Sequence, residues 1–154
     1  MVETEIAQQA YFFAAAVVGI SLALLGFFLG KTFVASNFFK KGVALYKQKD
    51  YAGAEAAFRQ VIQRHRTNDM ARLLLGNALM AQDKIDEATP IFRELIERSP
   101  KNVDAYLRLG DTLIKQDKIE EAIAVLQKAR NLYKAGTTEQ QQLDQLIQEM
   151  DTPK

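Results

Sequence analysis

Few residues in this chain are of a type that does covalent chemistry, and their spacing assembles no reaction centre. There are 0 Cys and 1 His in 154 residues, so thiolate nucleophiles, disulfides and zinc–thiolate sites are excluded. The one imidazole, His65, stands between Arg64 and Arg66 near a predicted helix end and reads as a surface residue. The acidic pairs Asp86-Glu87 and Glu120-Glu121 are adjacent in sequence, so on a helix they point to different sides and do not flank one substrate. They suit the first turn of a helix, where the dipole favours negative charge. No Gly-rich phosphate loop, metal-ligand cluster or nucleophile–base pair can be put together from what remains. The expectation is a non-enzyme with no catalytic residue, no metal, no cofactor and no small-molecule substrate, which works by binding.

The elements that would present a binding surface are helical. Gly 8 and Pro 3 are low, which favours long helices over a turn-rich β fold. Hydrophobic residues make up 48% and the net charge is +1, which fits neither a disordered acidic tail nor a strongly basic nucleic-acid binder. From Ala10 to Gly30 the chain reads AYFFAAAVVGISLALLGFFLG, without a charge. At ~1.5 Å per residue that run reaches ~31 Å, which predicts a single transmembrane helix over 10–30 after a short polar N-terminus, 1–9. A buried core helix is disfavoured, because a domain this small has little interior for an all-round apolar helix. A cleavable signal peptide is disfavoured because Glu3 and Glu5, and no Lys or Arg, precede the run. Lys31, Lys40 and Lys41 follow it, so the positive-inside rule places the C-terminal part in the cytoplasm or stroma and the N-terminus outside. Ala15, Gly19, Ala23, Gly26 and Gly30 form a small-residue face on which another membrane helix is expected to dock.

Beyond a hinge at 31–34 the sequence repeats. Gly42, Gly76 and Gly110 are spaced by 34 residues, as are Ala54, Ala88 and Ala122, and Gln48, Gln82 and Gln116. The segments DKIDEA after Gln82 and DKIEEA after Gln116 are nearly identical. Small residues at fixed register predict positions where two antiparallel helices approach most closely. Lys49-Asp50, Asp83-Lys84 and Asp117-Lys118 read as the polar turns between them, with Tyr51, Ile85 and Ile119 opening each second helix. The units are 35–68, 69–102 and 103–136. None can bury its apolar faces alone, so the three are expected to stack, closed at one end by a capping helix over 137–150 with Leu143, Leu146, Ile147 and Met150 on one stripe. Thr137 with Gln140, or Thr138 with Gln141, suits a capping box. Repeat one is the least regular, with Lys41 and Arg66 where Leu and Pro are wanted, so a partner or lipid is left to finish its packing.

On this period, and on Leu75-Gly76, Leu79, Ala88, Phe92 and Pro100 in repeat two, residues 35 to about 134 resemble the tetratricopeptide-repeat family. The fold class expected is all-α: an N-terminal single transmembrane helix followed by an α–α superhelix of three repeats and a capping helix. The resemblance implies a concave groove lined by the first helix of each pair. By register, Phe39, Val43, Tyr46, Leu73, Asn77, Met80, Leu107, Asp111 and Ile114 line it. Such an apolar groove suits an amphipathic helix or an extended segment of a protein partner. Some family members grip a peptide carboxylate with Lys, Asn and Arg. Asn77 and Arg108 match that set, while Phe39, Val43 and Asp104 replace its other members, so chaperone-tail recognition is disfavoured.

Residues 31 to 66 carry Lys31, Lys40, Lys41, Lys47, Lys49, Arg59, Arg64 and Arg66 against Asp50 and Glu55, a juxtamembrane basic zone able to meet anionic headgroups of a lipid bilayer or an acidic loop. The layout of one span and three repeats also resembles the thylakoid factors of cyanobacteria and chloroplasts that assist photosystem I assembly. That resemblance implies a thylakoid scaffold binding subunits or assembly proteins of a membrane complex. A constitutive subunit of such a complex, a bacterial envelope-assembly adaptor and an organellar import adaptor have similar layouts.

Overall fold

The computed structural model describes residues 2–151, with side chains over 13–27, 29 and 36–151. Among the described residues it is all helix: α1 (Val2–Lys47), α2 (Tyr51–Arg64), α3 (Asp69–Ala81), α4 (Ile85–Arg98), α5 (Val103–Lys115), α6 (Ile119–Leu132) and α7 (Thr138–Asp151). The chain divides into two compact units, 1–37 and 38–154, so that residues 38–47 of α1 open the second unit.

In the first unit the described side chains from Phe13 to Phe27 are all exposed, Phe13 at 73%. Ser21 satisfies its hydroxyl by donating to the Val17 carbonyl at 2.8 Å. The transmembrane part of the expected fold class is corrected here: among the described residues no helix is long and apolar enough to cross a membrane. The expected single-pass topology, with its outside N-terminus, its cytoplasmic or stromal repeat domain and its thylakoid placement, rested on that span and is withdrawn with it.

The second unit is a superhelix of stacked helix pairs. The second helix of each pair packs on the first helix of the next: α2 on α3 and α4 on α5, with α7 closing the end on α6. Period-34 glycines set the closeness within each pair. A Cβ on Gly42 would come within 2.7 Å of Phe58, one on Gly110 within 2.5 Å of Leu126, and one on Gly76 would strike the ring of Phe92. Each clash partner lies 16 residues after its glycine, and Phe58, Phe92 and Leu126 are buried at the heart of the core beside Ala54, Ala88 and Ala122. The glycines thus make room for a ring or isobutyl group between helices.

The turns repeat as closely as the core. Lys49, Asp83 and Asp117, 34 apart, take positive φ of 62°, 60° and 59°. At each, the amide of the next residue donates back to the fifth residue upstream (Asp50 to Leu45 at 2.9 Å, Lys84 to Leu79 at 3.0 Å, Lys118 to Leu113 at 2.9 Å). These are Schellman closures, which satisfy carbonyls left open at a helix end. Helices α2, α4 and α6 open at Tyr51, Ile85 and Ile119, as the spacing predicts. Asn68 and Asn102 cap α3 and α5 by accepting from the amides of Ala71 at 2.9 Å and Ala105 at 3.2 Å. Asp50 caps α2 by accepting from Gly53 at 2.9 Å. Lys84 and Lys118, at the same register, cannot cap. Lys118→Asp is therefore expected to raise the unfolding free energy by about 1 kcal/mol in a denaturant titration; no change would show that Glu120 and Glu121 already satisfy that helix end. At the far end Thr137 accepts from Gln140, and Gln140 reaches back to the Gly136 amide at 2.8 Å. That is the Thr137 form of the expected capping box, displaced by one residue.

Candidate functional site

Three first helices, residues 38–47 of α1, α3 and α5, set the predicted groove residues in three rows of equal register. The first row is Phe39, Leu73 and Leu107, the middle row Val43, Asn77 and Asp111, the third Tyr46, Met80 and Ile114. A partly polar middle row therefore runs between two apolar ones. Leu73 is only 8% exposed and belongs to the main core. Phe39, Val43, Tyr46, Met80 and Ile114 are half-buried and pack against that core. Leu107 is half-buried against the second cluster, which Tyr106, Leu126, Ala129 and Leu143 form beneath α7. The Phe39 ring stands edge-on to Phe58 with centroids 6.0 Å apart, and Tyr46 edge-on to Tyr51 at 5.3 Å. Ring geometry of this kind fixes rotamers before any partner arrives.

The middle row carries the polarity. Asn77 buries its Oδ1 without a hydrogen-bond partner. Asp111 is half-buried, and burial pushes its carboxyl above the ordinary carboxylate range, against the opposing pull of Arg108 and Lys115. Arg108 spends its guanidinium on Asp111 at 3.2 Å, one turn away on the same helix. Arg108, one of the two residues matching a carboxylate grip, thus pairs with a carboxylate supplied by the chain itself, and the row is acceptor-rich.

The other predicted positions are not groove positions by register. Ala15, Gly19, Ala23 and Gly26 lie in the first unit, and a Cβ on Gly19 or Gly26 would meet nothing within 4 Å. Gly30 and Lys31 fall outside the residues whose side chains are described; Lys40 and Lys41 are exposed in the second unit. Among the described residues no group of acidic, His or Cys side chains is arranged to hold a metal ion.

Sequence reading missed the polar network that ties one repeat to the next. Gln82 donates from Nε2 to the Tyr51 carbonyl at 3.2 Å and to Glu55 at 3.0 Å, while Lys84 and Arg59 bind the same carboxylate at 2.9 and 2.8 Å. Burial raises the Glu55 pKa, but the three donors outweigh it and bring the carboxyl to about 2. Gln116 repeats the link one unit on, donating to Asp86 at 2.7 Å. Arg59 to Glu87 at 3.1 Å and Arg93 to Glu121 at 2.9 Å join successive second helices. Arg72 is buried, at the position Phe38 and Tyr106 hold in the other repeats, and pairs with Glu94 at 3.0 Å. The period of Gln48, Gln82 and Gln116 was the available signal for the first of these links. Arg72, being out of pattern, offered none.

Comparison with known proteins gives a consistent picture. A family model described as "Tetratricopeptide repeat" matches residues 45–95 and 79–146. No curated protein matches the chain. Among solved structures, the TPR2B-domain:pHsp70 complex of yeast Sti1 is 22% identical, with a TM-score of 0.68 over 75% of this chain and 94% of that one. The Yersinia enterocolitica type III secretion chaperone SycD, in complex with a peptide of the translocator YopD, is 18% identical, with a TM-score of 0.66 over 75% and 87%. The first TPR of Spaghetti (RPAP3), bound to the HSP90 peptide SRMEEVD, is 19% identical, with a TM-score of 0.66 over 75% and 93%. At these identities the likeness is one of fold.

Proposed function

Because the chain belongs to the tetratricopeptide-repeat family, we propose that it is a non-catalytic scaffold whose concave groove holds a segment of a protein partner. The observation that carries this reading is the set of half-open apolar residues, Phe39 and Leu107 on one side and Tyr46, Met80 and Ile114 on the other, flanking an acceptor-rich middle row. Two of the solved structures named above hold peptides, which supports a peptide-like occupant here. The HSP90 peptide SRMEEVD is acidic toward its end, whereas this groove presents Asp111 and Asn77 at its centre. Charge complementarity therefore favours an apolar segment with a central donor, a Lys, an Arg or free amides, over an acidic tail.

The finer proposal is help in assembling a multi-subunit complex, with photosystem I as the specific client. It is supported by layout, three repeats after an apolar helix. Tagged full-length protein should recover its partner, and Val43→Lys with Met80→Lys should cut recovery at least ~10-fold, because they set cations against the partner's central donor and into an apolar row. Recovery unchanged by that pair, with helix content intact, would remove the groove from the reading. Leu73 is unsuitable for the test, since a charge at a buried core position would report on folding. Enrichment in assembly intermediates supports a helper. Stoichiometric presence in the finished complex supports a constitutive subunit instead.

A further inference from the structure

Among the described residues, no helix of the second unit packs on the outer side of its first helix pair. A cleft of about 330 Å³ lies there, lined by Phe38, Lys41, Leu45, Gly53, Ala56, Ala57 and Gln60, with the carboxylate of Asp50. The residues 34 positions on show what stands opposite the same surface inside the stack. In repeat two, Arg72, Leu75, Ile91 and Glu94, the register mates of Phe38, Lys41, Ala57 and Gln60, line a narrower cleft of about 280 Å³ together with Arg59, Ile62 and Gln63 of the preceding helix α2. Among the described residues of the second unit no second helix precedes repeat one, and Ala57 and Gly53 stand in its cleft where repeat two has Ile91 and Glu87.

The polar groups at this edge match that vacancy. Gln82 and Gln116 each reach back to the first turn of the preceding second helix, Gln82 to Tyr51 and Glu55, Gln116 to Asp86. Gln48, at the same register, is exposed and has no such helix to hold. Lys41, where the interior repeats carry leucine, is exposed and forms no ion pair among the described residues. Arg64 lies over the Phe38 ring at 4.7 Å and brings a second cation to the cleft. The rim carries Lys41 and Arg64 against Asp50, whose carboxylate is engaged as the cap of α2, so the apolar floor calls for an apolar side chain with a carboxylate facing Lys41.

We propose that this edge docks an acidic amphipathic helix of a partner protein, laid where a preceding second helix would lie, with a branched apolar residue over Ala57, a carboxylate facing Lys41 and its first turn held by Gln48. The site is separate from the concave groove. A second copy of the chain is a poor occupant through its capped end, because Gln142, Gln145 and Gln148 make the outer face of α7 exposed and polar. The stack itself contains the right kind of helix. Helix α4 presents Arg93, Ile96 and Glu97 at the positions of Arg59, Ile62 and Gln63, and offers Asp86 to a glutamine in its own interface with α5.

A stapled, fluorescein-labelled peptide of Ile85–Arg98 is therefore the probe, titrated with the full chain by fluorescence anisotropy, and the stapled Tyr51–Arg64 peptide is the control. The α4 peptide should bind saturably at ~10–100 μM, the α2 peptide at least ~5-fold more weakly for want of the carboxylate, and both more weakly in ~0.3 M salt. Lys41→Glu should weaken the α4 peptide at least ~5-fold and Ala56→Arg, at another exposed cleft residue, at least ~10-fold, each with unchanged helix content. Gln48→Ala should weaken it ~3-fold, and the Val43→Lys/Met80→Lys groove pair should leave it unchanged. Absence of saturation at ~1 mM by folded chain overturns the proposal. Loss of binding only in the groove pair overturns it in favour of the groove. Self-association of the chain that Ala56→Arg abolishes overturns it in favour of a second copy.

Discussion

Phe92→Ala is expected to lower the unfolding free energy by about 3–5 kcal/mol, the range for removing a fully buried ring from a packed core. Phe92 is completely buried, and its ring occupies the space that Gly76 leaves open between α3 and α4. The complementary change, Gly76→Ala, adds a Cβ that strikes the same ring, and overpacking of this kind costs about 1–3 kcal/mol. The two sites share one volume, so their effects should not add. With the ring gone, the alanine at 76 has room, and the double variant should sit close to Phe92→Ala alone. Urea titrations of the three variants measure this directly. Additive losses would mean that Gly76 and Phe92 matter for separate reasons and that the spacing of helix pairs is set elsewhere. The same cycle at Gly42 with Phe58 should repeat the result. At Gly110 it should be milder, because the clash partner is the flexible side chain of Leu126.

The second large effect is electrostatic. Glu55 joins repeats one and two through Lys84, Arg59 and Gln82, and those donors hold its carboxyl at about 2, below the ordinary 4.5. A folded-state pKa lowered in this way contributes stability that is complete above the unfolded value. As pH falls, the unfolded chain takes up a proton that the folded chain refuses, and the contribution fades between about pH 4.5 and about pH 2. Glu55→Gln should cost about 1–3 kcal/mol at neutral pH and should flatten the fall in stability across that acid window. Lys84→Ala should do part of the same by removing one donor. Unfolding free energies of wild type and Glu55→Gln at several pH values give the answer, and parallel slopes would show that this carboxylate does not govern the acid limb. Asp69 adds to the same limb in a smaller way. The Ser99 hydroxyl and Arg98 hold its carboxyl below the ordinary range.

Legibility followed the physics of repetition. A 34-residue period makes each packing demand appear three times, so Gly42, Gly76 and Gly110 and the turns at Lys49, Asp83 and Asp117 stood out from chance. The identity of each clash partner was less visible, because a glycine reports that space is needed without naming what fills it. In the groove, register placed Phe39, Val43 and Tyr46 on one helix, but it could not divide surface from core. Leu73 went inward because α2, α4 and α5 close over α3 from several sides, whereas its register mates Phe39 and Leu107 remain half-open. Arg72 shows the limit more sharply. A lone cation on an apolar face reads as exposed until Glu94, 22 residues away, is seen beside it. The apolar run at 10–30 misled for a related reason. Composition suggested a crossing there, whereas among the described residues no helix is long and apolar enough to make one.

Alone, then, the sequence determined the elements and their period. Helix starts, Schellman turns, Asn caps and glycine positions are local, and local chemistry repeats wherever the residues do. Only the tertiary structure decided what lies between repeats: which groove residues stay open, and which carboxylate three donors share. Those outcomes depend on side chains brought together from about 22 to 31 positions apart, and free energy at such contacts is set by burial and partner geometry, which no linear pattern records.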